Sequence, residues 1–496
     1  MVKSILFGGK AGQGPNILTQ LVGEALVKQG YYVFYSRDYQ SLIRGGHNFN
    51  LLTFSRFPIN SNESKIDLIV ALDENTVKIH RKDLKEKGEI LTGDKDNIYF
   101  AGALFKIMCL EFSLLECELK KLRNFDENLK SAKKGFSEEK RKIKINVPKM
   151  KDGKSFMNGS CGIAEGAIKS GLDVYYAYPM TPATPLMFEL APKQEKGNFI
   201  ILELENEIAV MNAALGSAMT GAKSMIGTSG GGFDLMTEAF SMAGMAEIPI
   251  VCYNASRPGP STGVATYSGQ GDLQMARHCG HGEFFRFVLA PGDVSECEEL
   301  TSQSFYFSQK FKVPAIILSD KHLAESFYTY SEKSEITKSE KSTKLIRYNS
   351  YEHNETGEAV EDADGIIKGV ERREKIKKMA EKDAEKFSMY KVYGNKNSKN
   401  VILSYGSAKG AILDAIKDLD VKFIQILYIE PFPEIEKEMK NVKNILLVEN
   451  SATGMLADVV REKTGIKIED KNKILRYDGR PFFYDELNAE IRKRLK

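Results

Sequence analysis

Residues 203–240 read ELENEIAVMNAALGSAMTGAKSMIGTSGGGFDLMTEAF, and this stretch decides the fold. A short apolar strand is predicted over 224–227, between helices predicted over 208–220 and 233–246. Because strands that alternate with helices and are apolar on both faces form a parallel sheet covered on each side, the stretch predicts an α/β domain over 153–330. The same sheet takes further predicted strands at 174–178, 199–204, 249–253, 285–289 and 313–318.

Two more α/β domains are predicted, one on each side of the central domain. The first covers 1–117, with strands at 4–7, 31–35 and 68–72 and a helix at 17–29. The last and smaller one covers 398–496, with a helix at 410–417 and strands at 401–404, 423–428, 445–448 and 474–477. The fold class is therefore α/β with three α/β domains.

Charged stretches separate the three domains. Residues 118–152 are rich in Lys and Glu, and we interpret them as a solvated linker with some helix rather than a partner-binding tract. Residues 331–397 begin with the polar run SEKSEITKSEKSTK and continue into a charged helix predicted at 366–387.

Composition excludes several classes of function. The 496-residue chain has a formal net charge of +3, so no overall field favours nucleic acid or a membrane surface. No stretch approaches 18 consecutive apolar residues, and the N-terminal apolar run is too short for a signal peptide. These observations predict a cytoplasmic protein that binds neither nucleic acid nor membrane.

The six cysteines predict no metal site on this chain. They stand at 109, 117, 161, 252, 279 and 297, and no two have a C-x-x-C spacing. Iron–sulfur and structural zinc sites usually draw at least two ligands from one tight loop. Scattered thiols with apolar neighbours are more simply explained as small buried side chains in a reducing compartment.

The N-terminal segment contains a glycine-rich loop, GGKAGQG at 8–14, between a strand and a helix. Backbone amides at a helix N-terminus suit an anion, although the loop matches neither the P-loop nor the dinucleotide-binding pattern. Either a phosphate-bearing ligand or a tight turn needed for packing would explain it. Arg44, in the turn RGGH at 44–47, adds a cation near the same sheet edge or marks a surface turn.

Three further loops follow predicted strands of the central sheet. YPMTPATP at 178–185 holds three prolines and two threonines, and it is either a rigid orienting loop or a proline-stiffened connection. Glu207, in ELENE at 203–207, either complements the helix dipole or hydrogen-bonds a ring nitrogen. Arg257, in SRPGPSTG at 256–263, either pairs with a carboxylate or is a solvated loop residue. Together with TSGGGF at 228–233, these loops open from one side of one predicted sheet, where ligands of open α/β folds bind.

These motifs, in this order, resemble the alpha subunits of 2-oxoacid:ferredoxin oxidoreductases. The first segment resembles the gamma unit of the same enzymes, fused ahead of alpha. The resemblance continues through QGDL at 270–273, YEHNETGEAVEDADG at 351–365, YGSAKGAI at 405–412, EPFP at 430–433, VENSATGMLADVV at 448–460 and YDGRPF at 477–482, and in the first segment through FGGKAGQG at 7–14 and SLIRGGHN at 41–48.

The resemblance implies oxidative decarboxylation of a 2-oxoacid on thiamine diphosphate, with the acyl group passing to coenzyme A and the electrons to ferredoxin. It implies a central domain like the pyrimidine-binding domain of thiamine enzymes and a last domain like the C-terminal domain of transketolase. A beta subunit is expected to share the thiamine diphosphate and to hold its magnesium and an iron–sulfur cluster. The chain is therefore expected to work as part of a hetero-oligomer that ferredoxin visits.

The resemblance also implies roles for single residues. Glu207 matches the glutamate that hydrogen-bonds the pyrimidine nitrogen, so that the exocyclic amine can draw a proton from the thiazolium carbon. Thr181 matches a threonine that contacts the substrate's oxo and carboxylate oxygens, and Arg257 matches the arginine that pairs with its carboxylate. Further cofactor contacts are expected at Pro179, Thr228 and Gly230, and coenzyme A contacts at Gly9, Gly12, Gly14 and Arg44.

Substrate choice stays open at this stage. The resemblance favours 2-oxoglutarate, with pyruvate, branched-chain and aryl 2-oxoacids as alternatives. Gly269 stands where relatives often carry an acidic residue, close to the expected substrate. An alternative from another class is a non-catalytic nucleotide- or acyl-CoA-binding protein built on the Gly9–Gly14 loop, which would need neither Glu207 nor Arg257.

Overall fold

A computed structural model describes residues 2–40, 46–141, 154–330, 334–341 and 348–495. The strands, in chain order, are β1 (Val2–Lys10), β2 (Tyr32–Tyr39), β3 (His47–Ser55), β4 (Ile66–Ala71), β5 (Leu84–Thr92), β6 (Ser155–Asn158), β7 (Val174–Ala177), β8 (Ile200–Glu203), β9 (Ser224–Thr228), β10 (Ile250–Ser256), β11 (Phe287–Leu289), β12 (Pro314–Asp320), β13 (Phe327–Tyr330), β14 (Tyr390–Gly394), β15 (Asn400–Tyr405), β16 (Lys422–Ile426), β17 (Tyr428–Glu430), β18 (Asn444–Glu449) and β19 (Lys473–Leu475).

The helices, in chain order, are α1 (Pro15–Lys28), α2 (Glu74–His80), α3 (Asn97–Ile107), α4 (Phe112–Leu119), α5 (Phe125–Glu138), α6 (Gly159–Lys169), α7 (Thr184–Leu190), α8 (Gln194–Gly197), α9 (Glu207–Met219), α10 (Gly230–Met245), α11 (Leu273–His278), α12 (Val294–Phe311), α13 (Lys321–Glu325), α14 (Ala363–Ala384), α15 (Ala408–Ala415), α16 (Met455–Thr464) and α17 (Tyr484–Arg494). Within the described ranges, no helix combines the length and the apolar character needed to cross a bilayer.

The chain divides into two compact units. The first contains the described residues of Met1–Asn158, Ser326–Glu332 and Phe482–Ala489, and the second contains those of Gly159–Glu325, Lys333–Pro481 and Glu490–Lys496. The α/β fold class is confirmed, with three sheets in the order that the sequence predicts. The second and third sheets share one compact unit, and the individual boundaries of the three predicted domains stay predictions.

The sheet of the first unit has the strand order β5-β4-β1-β3-β2-β13-β6. β1, β4 and β5 run parallel, whereas β3 is antiparallel to both β1 and β2. The predicted strands at 4–7, 31–35 and 68–72 correspond to β1, β2 and β4. β3 was not predicted, although its last six residues are buried, because it departs from the alternation of strands and helices.

Residues 118–138 are not the solvated linker that the charge pattern predicts. α5 packs against α3 so closely that a Cβ atom on Gly135 would lie 2.0 Å from the Tyr99 carbonyl oxygen. A Cβ atom on Gly102 would lie 1.9 Å from the Ala132 carbonyl oxygen. The prediction was wrong here because apolar residues at helical spacing lie among the charges. The rest of the predicted linker, from 142 to 152, falls outside the described residues.

The second sheet, in the order β17-β11-β12-β10-β9-β7-β8, is the parallel sheet that the central segment predicts. Its strands are parallel throughout except β17, which is antiparallel to β11. The apolar faces of α9 and α10 pack on it through side chains that include Val210, Met211, Phe233 and Phe240, all fully buried. This core holds the carboxyl ends of β7, β9 and β10 in fixed register.

The third sheet has the order β14-β16-β15-β18-β19, with β14 antiparallel to β16. Two details differ from the sequence prediction. β14 begins at Tyr390, inside the segment predicted as linker and helix up to 397. The single strand predicted at 423–428 is divided at Leu427, so that β16 stays in the third sheet and β17 joins the second.

Candidate active site

The carboxyl ends of four neighbouring strands meet at one edge of the second sheet. Strand order places β10, β9, β7 and β8 side by side, and Gly227 at the end of β9 pairs with Ala177 at the end of β7. The four loops singled out in the sequence leave from these four ends. In parallel α/β sheets this edge is where ligands bind.

Arg257 and Thr181 are in direct contact across this edge. The Arg257 guanidinium donates a hydrogen bond from Nη1 to the Thr181 carbonyl oxygen over 2.6 Å, and the Thr181–Pro182 peptide bond is cis. Arg257 is 9% exposed, and burial lowers its pKa, with the charge of Asp272 acting in the opposite direction. Its Nε is buried and has no partner among the described residues. Part of the guanidinium fork therefore has no hydrogen-bond acceptor in the described structure.

Glu207 is the first residue of α9 and lies against the first turn of α10. It is 6% exposed, and its carboxylate accepts no hydrogen bond from any residue that the structure describes. A Cβ atom on Gly232 would lie 2.9 Å from Glu207 Oε1 and 2.4 Å from Thr228 Oγ1. Asn206, not Glu207, caps α9, since its side chain accepts from the Ala209 amide over 2.8 Å. Glu207 therefore does not cap α9 through its side chain, although its place in the first turn still complements the helix dipole.

The edge also contains polar groups that sequence reasoning did not select. Asp272 follows the Arg257 loop and lies against Gly230, where a Cβ atom would be 2.8 Å from its Oδ1. Asn254 Nδ2 lies 3.5 Å from Asp272 Oδ2, and desolvation by burial raises the pKa of Asp272 to about 6. Among the described residues, three more side-chain oxygen atoms here are buried without a partner, Ser229 Oγ, Asn254 Oδ1 and Ser256 Oγ. Buried polar groups without partners are uncommon and often mark functional sites.

The remaining predicted site residues have different surroundings. Pro179 is half-buried in the loop after β7, and Thr228 is fully buried, with Oγ1 3.4 Å from the Ser229 carbonyl oxygen. Gly230 is the first residue of α10. They lie at the same edge as Glu207, so the predicted constellation is brought together there.

The glycine loop of the first unit is a tight turn that the Gln13 side chain holds through two hydrogen bonds. The Lys10 amide donates to Gln13 Oε1 over 2.7 Å, and Gln13 Nε2 donates to the Leu72 carbonyl oxygen over 3.1 Å. Gly9 belongs to β1, where a Cβ atom would lie 2.9 Å from both Gln13 Oε1 and Leu72 Cβ, so packing alone explains this glycine. Gly12 has a φ of 93° and nothing within 4 Å of a Cβ position, and Gly14 precedes α1 with a φ of 79°. Arg44 lies outside the described residues.

Large apolar side chains are exposed on the elements that carry the site. Ile200 and Leu202, two residues apart on the edge strand β8, are 57% and 40% exposed. Ile208, next to Glu207, is 53% exposed, and Phe188 on α7 is 65% exposed. These four side chains lie on β8, α7 and α9, the elements next to the site.

Three of the six cysteines are buried, as the sequence predicts for all six. Cys252, Cys279 and Cys297 are buried, and burial raises the pKa of each thiol. Cys109 and Cys117 are exposed instead. Within the described parts of the chain, no three His, Cys, Asp or Glu side chains are grouped as metal ligands.

Comparison with known proteins identifies the family of the chain. Residues 165–394 match the family "Pyruvate flavodoxin/ferredoxin oxidoreductase, thiamine diP-bdg", and residues 4–138 match "Pyruvate ferredoxin/flavodoxin oxidoreductase". A 2-oxoacid:ferredoxin oxidoreductase subunit alpha from Sulfolobus sp is 28% identical over 99% of this chain and 97% of its own length. The chain belongs to the 2-oxoacid:ferredoxin oxidoreductase alpha subunits.

Other relatives of this alpha subunit carry more specific names. A 2-oxoglutarate synthase subunit KorA from Archaeoglobus fulgidus is 38% identical, over 34% of this chain and 50% of that protein. A solved 2-oxoglutarate:ferredoxin oxidoreductase from Magnetococcus marinus, with 2-oxoglutarate, coenzyme A and succinyl-CoA bound, covers 100% of both chains with a TM-score of 0.88 and 23% identity. At that identity the likeness shows the fold.

The alpha subunit is thus part of an oxidoreductase, as the sequence predicts. The match to 4–138 ends at the last residue of α5, which agrees with the packing of α5 on α3. One residue at the sheet edge, Glu207, has the properties needed to bind the aminopyrimidine ring of thiamine diphosphate. Its carboxyl group is buried and has no described partner, so it can form a hydrogen bond with a ring nitrogen.

Proposed function

We propose that this alpha subunit supplies half of an active site in which a 2-oxoacid is oxidatively decarboxylated on thiamine diphosphate. The acyl group passes to coenzyme A and the electrons pass to ferredoxin. The observation that carries the proposal is the Glu207 carboxylate, buried without a described partner at the sheet edge where Arg257 holds the Thr181 carbonyl. Thiamine diphosphate, when bound, supplies the nucleophilic carbon and the electron sink for decarboxylation.

Glu207 holds a proton at the pyrimidine nitrogen in this proposal. A carboxyl group can donate that proton or accept it back, and Glu207 has no competing described donor or acceptor to satisfy first. Gly232 is required beside it, because any side chain there would displace the carboxylate or the Thr228 hydroxyl. Pro179, Thr228 and Gly230 complete the wall that this chain presents to the cofactor.

Arg257 and Thr181 orient the 2-oxoacid. The bond from Arg257 Nη1 to the Thr181 carbonyl oxygen fixes the guanidinium plane, and its Nε remains unpaired toward an anion. A planar fork held in this way selects a carboxylate over a point anion. The Thr181 hydroxyl is the donor proposed for the oxo and carboxylate oxygens of the substrate.

A beta subunit completes the site, so the active enzyme is a hetero-oligomer. The exposed apolar side chains on β8, α7 and α9 support a protein partner at this edge. We assign the diphosphate-bound magnesium and an iron–sulfur cluster to that partner, and ferredoxin visits the complex. We place the complex in the cytoplasm.

Coenzyme A contacts are proposed for the first unit. Gly12 and Gly14 expose backbone at the N-terminus of α1, and Arg44 supplies a cation from the segment between β2 and β3. Gly9 is included with them as a predicted contact, although its packing against Gln13 and Leu72 explains it without a ligand.

2-Oxoglutarate is the favoured substrate, on the strength of the KorA relatives and the Magnetococcus marinus enzyme. Pyruvate, branched-chain and aryl 2-oxoacids are the alternatives. A panel of these acids, offered to the reconstituted complex, decides among them through kcat/KM. A preference for pyruvate of tenfold or more would replace the substrate in this proposal and leave the reaction class intact.

The test of the reaction is reconstitution. The chain co-expressed with its beta subunit should reduce methyl viologen when 2-oxoacid, thiamine diphosphate and coenzyme A are all present, and the isolated chain should not. Glu207→Ala should lower kcat about 10²- to 10³-fold, the scale of a lost proton-transfer group. Glu205→Ala is the matched control, because Glu205 is exposed two residues away.

A Glu207→Ala complex with full activity would refute the role of this carboxylate. Full turnover by the isolated chain would refute the shared site. Binding of acyl-CoA without any 2-oxoacid-dependent viologen reduction would instead favour the non-catalytic binding protein.

A further inference from the structure

Asp272 occupies a helix-capping position and does not cap. It immediately precedes α11, where an aspartate side chain normally accepts a hydrogen bond from the helix's first turn. Its carboxylate makes no such bond. It faces Asn254, with 3.5 Å between Nδ2 and Oδ2, and the backbone of Gly230 at the start of α10. The side chain therefore serves the active-site edge of the sheet rather than its own helix.

The charge of Asp272 acts on Arg257. Arg257 forms no ion pair with a carboxylate in the described part of the chain, and its one hydrogen bond is to the Thr181 carbonyl. A buried guanidinium without a paired anion is costly. Asp272 is the charged group whose field opposes the effect of burial on the pKa of Arg257. The two charges are thus coupled through space without being neutralised by direct contact.

The segment that carries Asp272 is held rigidly by Gln270. The Gln270 amide donates to the Asn450 carbonyl oxygen over 2.7 Å, and its Oε1 accepts from the Asn450 amide over 2.9 Å. Its Nε2 donates to the Tyr405 carbonyl oxygen, and its carbonyl oxygen accepts from the Tyr405 hydroxyl, both over 3.2 Å. Four bonds from one buried residue fix the backbone two residues before Asp272, so its distance from Arg257 is constrained.

We propose that Asp272 is a positioning residue for the 2-oxoacid carboxylate, acting through Arg257. Its negative charge keeps the unliganded guanidinium stable in its buried place and moderates the attraction of Arg257 for the substrate carboxylate. This inference rests on the proposed function, because it concerns the same substrate and the same arginine. It adds a residue to which that proposal gives no role.

The charge of Asp272 changes within an accessible pH range. Burial raises its pKa to about 6, and the titratable groups that face it are Asp234 on α10, Arg257 in the loop after β10 and Tyr405 on β15. Above pH 6 the Asp272 carboxylate is ionised and weakens the attraction of Arg257 for the substrate carboxylate. Below pH 6 it is neutral, and the site gains one positive charge, whereas a 2-oxoacid carboxylate stays ionised. The KM for the 2-oxoacid should therefore fall as the pH falls from 7.5 to 5.5.

The test uses the complete complex with its beta subunit and the 2-oxoacid that it turns over best. Asp272→Asn should lower the KM for that acid about three- to tenfold at pH 7.5, the effect expected when one partly screened charge is removed near another. At pH 5.5 the variant and the unmodified complex should have the same KM. The kcat should stay within about twofold, because Asp272 does not touch the reacting atoms. Glu205→Gln is the matched control, since Glu205 is exposed, water screens it and it is not among the groups that face Asp272.

The pH profile of the unmodified complex is the second measurement, and it does not depend on whether the variant folds. A KM that is constant between pH 5.5 and 7.5 would overturn the inference. An equal change of KM at both pH values in Asp272→Asn, or a loss of kcat without a change in KM, would also overturn it. A complex with no 2-oxoacid-dependent activity at all would refute the proposed function instead.

Discussion

At the scale of single residues, the site combines groups that a sequence motif can reveal with groups that it cannot. Thr181 and Arg257 stand in proline- or glycine-containing loops directly after predicted strands, and Glu207 stands where a predicted strand leads into a helix. The sheet brings these elements to one edge. Asp272 precedes a helix, where aspartate is the ordinary capping residue, so the sequence offers no reason to select it. Its role depends on which way its carboxylate turns, and that follows from the packing of Gly230 and Asn254.

The pH dependence of the free energy of unfolding should also depend on the Asp272 carboxyl group. The pKa of Asp272 is raised from the ordinary 3.8 to about 6, so the folded chain binds more protons than the unfolded chain between those values. The resulting stabilisation is fully present below about pH 4 and is lost as the pH rises through 6. Asp272→Asn should therefore raise the free energy of unfolding by about 2 kcal/mol at pH 8 and by much less at pH 4.5.

Urea unfolding at the two pH values measures this difference. Glu205→Gln should change the free energy of unfolding by less than about 0.5 kcal/mol at both, as exposed substitutions usually do. An Asp272→Asn variant that is less stable than the parent at pH 8 would contradict the prediction. It would mean that the Asp272 carboxylate contributes more as an ionised partner than its burial costs.

At the scale of helices and strands, patterns were reliable where one periodicity dominates. Apart from β17, the strands of the second sheet lie within a few residues of their predicted positions, because each is an apolar run and several end in a glycine- or proline-rich loop. β3 and β17 were missed because each departs from the strand–helix alternation. α5 was assigned to a linker because nine of the 14 residues in its sequence FDENLKSAKKGFSE are polar or charged and dominate the composition.

Glycine substitutions should separate close helix packing from ordinary helix propensity. Gly135→Ala in α5 would place a methyl group 2.0 Å from the backbone oxygen of Tyr99, and it should destabilise the first unit by about 2–3 kcal/mol because the backbone must shift. Gly216→Ala in α9 is the matched control, since nothing lies within 4 Å of its Cβ position and the residue is exposed. It should stabilise its helix by up to about 1 kcal/mol.

Thermal unfolding of both variants tests the contrast. Gly135→Ala should lower the midpoint of the transition that involves the first unit, and Gly216→Ala should not lower any transition. Equal effects of the two substitutions would show that α5 is not held against α3 in the way described. The same result would restore the linker interpretation of 118–138.

At the scale of the whole molecule, the proposed interface with a beta subunit can be tested at the exposed apolar residues of β8. Ile200→Glu combined with Leu202→Glu should abolish co-purification with the beta subunit, because two charges would be buried in the interface. Ile367→Glu is the control, since Ile367 is similarly exposed at 53% but lies on α14, away from the strands that carry the site. Retention of the beta subunit by the double variant, measured by affinity purification of the complex, would move the interface elsewhere.

The short strand β17 has a consequence for any attempt to divide the chain. It belongs to the last third of the sequence, yet it closes the edge of the second sheet by pairing with β11. A fragment that stops before Tyr428 would leave β11 with bare amide and carbonyl groups, which invite pairing with other copies. Expression of residues 159–325 alone should therefore yield aggregates, whereas a fragment of residues 159–481, which continues through β17 and the third sheet, should remain monodisperse.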